Sequence, residues 1–275
     1  MGIPKRATER ITAGLKKYQA ILTEARNRDI SESDTVVIIT DMLTDLLGYR
    51  KYVEITTEFA IRGTFVDLAV KVGEEIRFLI EAKAIGAELK DAHVKQAVDY
   101  GANQGIEWVL LTNGIVWRIY KIHFQQPIEK SLVLELNVLK ASPRDGELLD
   151  CLGSLSREGF TKSSMMEFFQ QQQAMGKFSV AAVLLSEPVI QAARRELRRL
   201  FSSVRVDAEV LRSVIQNDVL KREVVDGDEA HLAQDDLKRA ARATARAKAK
   251  AASEDERASI APDATLDDPH LVEKE

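Results

Sequence analysis

The chain has 275 residues, 45% of them hydrophobic and 30% charged, and carries a formal net charge of −4 at pH 7. It is long enough for one good-sized domain plus an extension. The slightly acidic balance excludes a protein that grips nucleic acid through its overall charge, so any such binding must come from a local patch or a metal. The single cysteine, Cys151, excludes an internal disulfide and fits a reducing cytoplasm. The four histidines have no zinc-ligand spacing, no apolar run approaches membrane-spanning length, and there is no P-loop pattern. Met1 to Arg6 leads into no apolar signal region.

Ile11, Leu15, Tyr18 and Leu22 recur at helical spacing and predict an amphipathic N-terminal helix within residues 1–30. Ser31 then caps a second helix through Val37, Ile38, Met42 and Leu46, which Gly48 ends. From Tyr52 to Arg62 polar and apolar residues alternate, with Val53, Ile55, Thr57, Phe59 and Ile61 on one face and Glu54, Thr56, Glu58 and Ala60 on the other. That is the pattern of a half-buried strand. Gly63-Thr64 turns it into a strand carrying Asp67, and Gly73-Glu74 turns that into a strand carrying Glu81. Three short-linked strands predict an antiparallel meander.

Alternation then fixes directions. Residues i and i+2 of a strand share a face. Glu81 and Lys83 therefore point one way, and Ile76, Phe78, Ile80 and Ala82 point the other, toward a core. Asp67, on the neighbouring strand, completes a group of three charges that core packing does not require.

Glu88 to about Gln104 predicts a helix packed through Val94, Ala97, Val98 and Gly101, with Leu89, His93, Gln96 and Tyr100 on the adjacent face. Trp108 to Leu111 is a continuous apolar run, the pattern of a strand buried on both faces and paired in parallel through a right-handed crossover. Asn113-Gly114 predicts a hairpin, Val116 to Ile122 its return, and Leu132 to Leu136 an edge strand. A boundary falls near Ala141–Gly146, and beyond it the chain reads as helical. Ser186-Glu187-Pro188 opens a helix with Leu197 and Leu200 inside and Arg194, Arg195, Arg198 and Arg199 outside. Asp207 caps another, with Val210, Leu211, Val214 and Ile215 inside. From Leu232 the chain is alanine-rich and charged, with few large apolar residues, and reads as a tail, part nascent helix and part disordered.

Val66-Asp67, Ile80-Glu81-Ala82-Lys83, Gln96-Ala97-Val98-Asp99-Tyr100 and Leu111-Thr112-Asn113-Gly114, in this order and in these elements, resemble the core of the PD-(D/E)xK nucleases. More narrowly, they resemble the N-terminal nuclease domain of type I restriction enzyme R subunits. The resemblance covers about Ser31 to Ile122, and the chain lacks the helicase region of those subunits. It implies an α/β restriction-endonuclease-like fold, a mixed central sheet flanked by helices, over residues 31–140. A helical extension over 141–231 and the tail over 232–275 would follow.

It also implies a Mg²⁺- or Mn²⁺-dependent deoxyribonuclease in which Asp67, Glu81 and the Ala82 carbonyl hold the ion, Lys83 acts on the nucleophile or transition state, and Gln96 and Tyr100 contact DNA. Hard oxygen ligands suit Mg²⁺, and the ion suits phosphodiester hydrolysis. Relatives often add a glutamate from the first helix; Glu32, Asp41 and Asp45 are the candidates, and that role stays open. Two other classes remain: an inactive nucleic-acid-binding version of the fold, and an interaction subunit that docks a partner or a second copy through the extension. Each residue also has a plain reading, with Asp67 as a strand-end turn residue, Glu81 and Lys83 as a solvated face, His93 on a helix surface, and Trp108 and Trp117 in packing.

Overall fold

A computed structural model of the protein describes residues 4–61, 64–124, 126–161 and 164–227 and, from 230 to 246, all but 236, 243 and 245. Gly63 of the expected Gly63-Thr64 turn and the tail beyond 246 lie outside the described residues. The chain divides into two compact units, Met1–Gln172 and Gln173–Glu275.

The first unit is a mixed α/β structure around one six-stranded sheet. Its elements, in order, are α1 (Lys5–Asn27), α2 (Glu32–Asp45), α3 (Lys51–Glu54), β1 (Ile55–Ile61), β2 (Thr64–Val72), β3 (Glu75–Ala82), α4 (Asp91–Gln104), β4 (Trp108–Thr112), β5 (Val116–His123), β6 (Glu129–Asn137), α5 (Gly146–Leu155), α6 (Arg157–Thr161) and α7 (Ser164–Met175), the last crossing the division. The strands lie in sequence order. All neighbours are antiparallel except β3 and β4, which pair in parallel across the α4 crossover.

The sheet is covered on both faces. On one, Leu68, Val70, Phe78, Ile80 and Ala82 join Ile11, Leu15, Tyr18 and Leu22 of α1, Ile39 and Leu43 of α2, and Cys151, Leu152 and Leu155 of α5 in one buried cluster. On the other, Ala69, Leu79, Val109 and Leu111 pack under Val94, Ala97 and Val98 of α4. Each fully buried aliphatic side chain contributes roughly 1.5–3 kcal/mol relative to exposure, so the strands around the charged group are firmly anchored. Gly101 lets α4 sit close. A Cβ there would meet Ile122 Cδ1 at 2.5 Å and the Ile106 carbonyl oxygen at 2.9 Å.

Three local readings need correction. The expected strand from Tyr52 starts at Ile55, because Lys51–Glu54 is a helical turn that leaves Tyr52 and Val53 exposed and buries Glu54. Ile76 does not share the face of Phe78. The register passes from Val70–Phe78 to Lys71–Ile76, so Arg77 is an extra residue in β3 and Ile76 turns to the α4 side. The Glu81 face is no open surface either, since Leu79 of that face is buried under α4.

α1 and α5 belong to the same core as the sheet. Arg10 of α1 grips Glu158 of α6 with two hydrogen bonds of 2.8 Å, and Tyr49 donates to the Leu155 carbonyl at 2.8 Å.

The second unit is helical, with α8 (Lys177–Leu184), α9 (Glu187–Leu200) and α10 (Ala208–Val214). Pro188 stands in the first turn of α9, and Asp207 accepts from the Glu209 and Val210 amides at the start of α10. Ile190 is the fully buried residue of α9, whereas Leu200, Val210 and Val214, expected inside, are exposed. The helical pattern was right in period and wrong about which apolar positions find a partner.

Candidate active site

Leu68 faces Ile80 across the β2–β3 ladder. One step further along the same antiparallel register brings Asp67 opposite Glu81, on the same face of the sheet. The Asp67 carboxylate takes over a ladder position at this point, and its Oδ2 accepts the Ala82 amide at 2.7 Å. Lys83 leaves the strand but stays tied to the sheet through its amide, which donates to the Thr112 carbonyl at 2.8 Å. Its ammonium donates to Glu81 Oε1 at 2.8 Å. The expected trio is therefore assembled by two adjacent strands and one backbone bond to β4.

The structure adds two acids. Glu32, the first residue of α2, places Oε1 3.6 Å from the Lys83 ammonium. Asp41 and Asp45 pair elsewhere, with Lys51 and with Lys17 and Tyr18 respectively. Of the three first-helix candidates, Glu32 alone is drawn to this group. Glu58 is the second. The pairs Thr57–Leu68 and Phe59–Val66 set it opposite Asp67, and it adopts a left-handed backbone with φ 48°. For a residue with a Cβ that conformation costs roughly 1–2 kcal/mol.

The electrostatics follow from burial. Desolvation pushes the Asp67 carboxyl above its usual range, against the pull of the Ala82 amide and Lys83; Glu32 and Glu58 push it further. Desolvation likewise raises Glu81, opposed by the Lys83 hydrogen bond and reinforced by Asp67 and Glu32. Burial works against the Lys83 charge, but its bond to Glu81 and the surrounding carboxylates win and hold it as an ammonium. The group has more negative charge than its one lysine neutralises.

The described residues contain no cluster of three or more histidine, cysteine, aspartate or glutamate side chains arranged to hold a metal ion. What they offer is a pair. Asp67 Oδ1 and Glu81 Oε2 make no hydrogen bond among the described residues, while the other oxygen of each is committed to Ala82 or Lys83. Mg²⁺ characteristically takes one or two carboxylates and completes its shell with water and substrate phosphate. The donor set fits that ion by its chemistry.

Gln96 of α4 donates to the Phe65 carbonyl at 3.1 Å, which ties the helix to β2 two residues before Asp67. Tyr100 is half-buried and packs against the α4 cluster. His93 accepts from the Lys90 amide at 3.2 Å and so caps α4. Asn113 accepts from the Ile115 and Val116 amides and donates to the Ala87 carbonyl at 2.9 Å. It closes the β4–β5 turn, where Gly114 takes φ 82°, and pins the loop that follows Lys83. Trp117 donates to the Gly114 carbonyl at 2.9 Å, which fits its expected packing role. An open cavity of about 590 Å³ lies at the other end of β3 and β4, lined by Ile76, Arg77, Ile106 and Trp108 among others, away from these carboxylates.

No protein family, characterised protein or solved structure matches the chain. Among the described residues no helix is long and apolar enough to cross a membrane.

Proposed function

We propose that the protein is a metal-dependent nuclease that hydrolyses DNA phosphodiesters, built on a restriction-endonuclease-like core similar to that of the PD-(D/E)xK nucleases. The observation that carries this reading is the pairing of Asp67 and Glu81 on neighbouring strands, each raised by burial, each with an uncommitted oxygen, and with the Lys83 ammonium 2.8 Å from Glu81. A structural ion pair would balance its charges; this group does not. The order of helix, meander, helix and buried strand, in which these residues stand, supports the same reading.

Asp67 and Glu81 would hold the divalent ion, which supplies Lewis-acid polarisation of the phosphoryl group and a more acidic water. The chain's own residues do the rest. The Ala82 amide ties the Asp67 carboxylate to the end of β3. Glu81 aims the Lys83 ammonium at the space beside the carboxylates, where it neutralises charge that develops on the phosphate. Lys83 would act on the attacking water or on the charge that develops in the transition state. Glu32 shares that ammonium and limits how far it swings. The cytoplasmic setting and a role in defence or DNA processing belong to the same proposal and rest on the resemblance.

Supercoiled and linear DNA incubated with purified protein, in Mg²⁺ or Mn²⁺ against chelator, tests the reading. Metal-dependent nicking by the wild type that vanishes in Glu81→Gln is expected. Equal turnover by both proteins would overturn it, as would no turnover on any DNA form.

A further inference from the structure

The second unit sorts its arginines into two kinds. Arg212 donates to the Leu185 carbonyl and pairs with Glu187 and Glu209, which holds α10 to the start of α9. Arg194 donates to the Val206 carbonyl at 2.9 Å and closes the α9–α10 loop. These two are structural. Arg195 and Arg198 are exposed and make no hydrogen bond or ion pair among the described residues. Arg199 has only Glu196, at 2.8 Å, in a pair where both side chains are well exposed. Such a pair is worth about 0–1 kcal/mol and exchanges easily for another anion. Residues 194–205 contain five arginines against one glutamate, in a chain whose net charge is −4.

Geometry gathers the exposed three. Positions 198 and 199 lie three and four residues, about one helical turn, beyond 195, so both stand beside Arg195 on one side of the helix. The opposite face carries Ile190, fully buried, and Leu197, partly buried, with Leu200 exposed at its C-terminal end. A helix that floats on a membrane keeps its whole apolar face free for lipid, and here Ile190 and Leu197 are already engaged by the protein. The choice of arginine also matters, because its planar fork binds phosphate through two parallel hydrogen bonds.

We propose that Arg195, Arg198 and Arg199 of α9 form a docking surface for the phosphate backbone of a nucleic acid. The contact is independent of sequence, because charge and backbone geometry are all that the face presents. The inference deepens the nuclease reading by naming a second contact with the substrate polymer, outside the residues that resemble the nuclease core.

The test uses the full-length protein in chelator, where hydrolysis is not needed. Binding of fluorescein-labelled duplex and single-stranded oligonucleotides is followed by anisotropy over a salt series. Arg195→Ala/Arg198→Ala should weaken both probes and lower the slope of log affinity against log salt by about two, one for each lost phosphate contact. Arg195→Lys/Arg198→Lys should restore most of the slope, a result that simple loss of packing would not give. Helical circular dichroism should be the same for all three proteins. Unchanged affinity and slope in the alanine variant would overturn the inference, as would a wild type that binds neither probe but binds phosphatidylserine vesicles. A wild type that cuts DNA with an unaltered slope in the variant sinks this inference alone. A lowered slope in a protein that never cuts sinks the nuclease reading alone.

Discussion

Two buried acidic sites in the first unit have opposite electrostatics. Glu54 is 1% exposed and accepts from three N–H groups, the Arg50 amide at 2.9 Å and the Arg50 and Arg157 guanidinium groups at 2.8–2.9 Å. Burial alone would raise its acid, but those donors outweigh burial and hold it below the usual carboxylate range. Glu81 is 9% exposed and has a single side-chain partner among the described residues, Lys83, which is shared with Glu32. Its acid is raised, as is that of Asp67. The lesson is one of stoichiometry. A carboxylate buried for structure brings its own donors, whereas carboxylates buried short of donors are poised to receive a cation from outside.

The largest effect should come from the under-compensated site. Lys83→Ala should lower the nicking rate by on the order of 10²–10³, with DNA affinity in chelator nearly unchanged, because the ammonium acts on developing charge. A parallel drop in affinity would mean that Lys83 is a binding residue.

Next comes the balanced site. Arg157→Ala leaves Glu54 buried with Arg50 alone and should cost about 3 kcal/mol of stability, as breaking a buried pair does. Chemical denaturation measures it, and a loss under about 1 kcal/mol would show that solvent compensates Glu54 after all. The pH dependence sharpens the contrast. Glu54, depressed in the folded state, contributes stability above its unfolded pKa that is lost as pH falls through its lower folded value. Arg157→Ala should move that loss to higher pH.

Asn113→Ala removes three hydrogen bonds at the β4–β5 turn and frees the Ala87 loop. We expect about 1–2 kcal/mol of destabilisation and slower nicking through looser placement of Lys83. Intact activity with reduced stability would separate the turn from the site.

The smallest effect, and the most telling in sign, belongs to Asp67→Asn. The amide oxygen still accepts from Ala82, and the repulsion with Glu81 disappears. In chelator at neutral pH the variant should be as stable as the wild type or more so, by up to about 1 kcal/mol, while its nicking is lost. Asp67 and Glu81 have raised folded values, so their contribution to stability falls as pH rises from the ordinary carboxylate range through those values. Asp67→Asn should flatten that part of the stability profile. A melting temperature several degrees lower at neutral pH would place Asp67 with Glu54, among the structural acids.

Much of this was legible in the residues. The i, i+2 rule put Glu81 and Lys83 on one face, the Gly73 turn put Asp67 beside them, and the spacing of Val94, Ala97, Val98 and Gly101 named the packing face of α4. These are consequences of backbone geometry over a few residues, and local sequence carries them. The rest depended on distant partners. An alternating pattern cannot reveal that Glu54 will meet Arg157 and curl into a helical turn, or that an extra residue at Arg77 flips Ile76. Glu32 is one of three first-helix acids that the resemblance offers, with Asp41 and Asp45, and nothing near Glu58 in the chain marks it as a neighbour of Asp67. α2 packing brings one there and the β1–β2 register the other. Leu200, Val210 and Val214 follow a helical period, but burial requires a partner surface that period alone does not supply. The sequence determined which side chains could act together on one element. The tertiary structure decided which charges are balanced, because balance is set by groups far apart in the chain that only packing brings within a few ångströms.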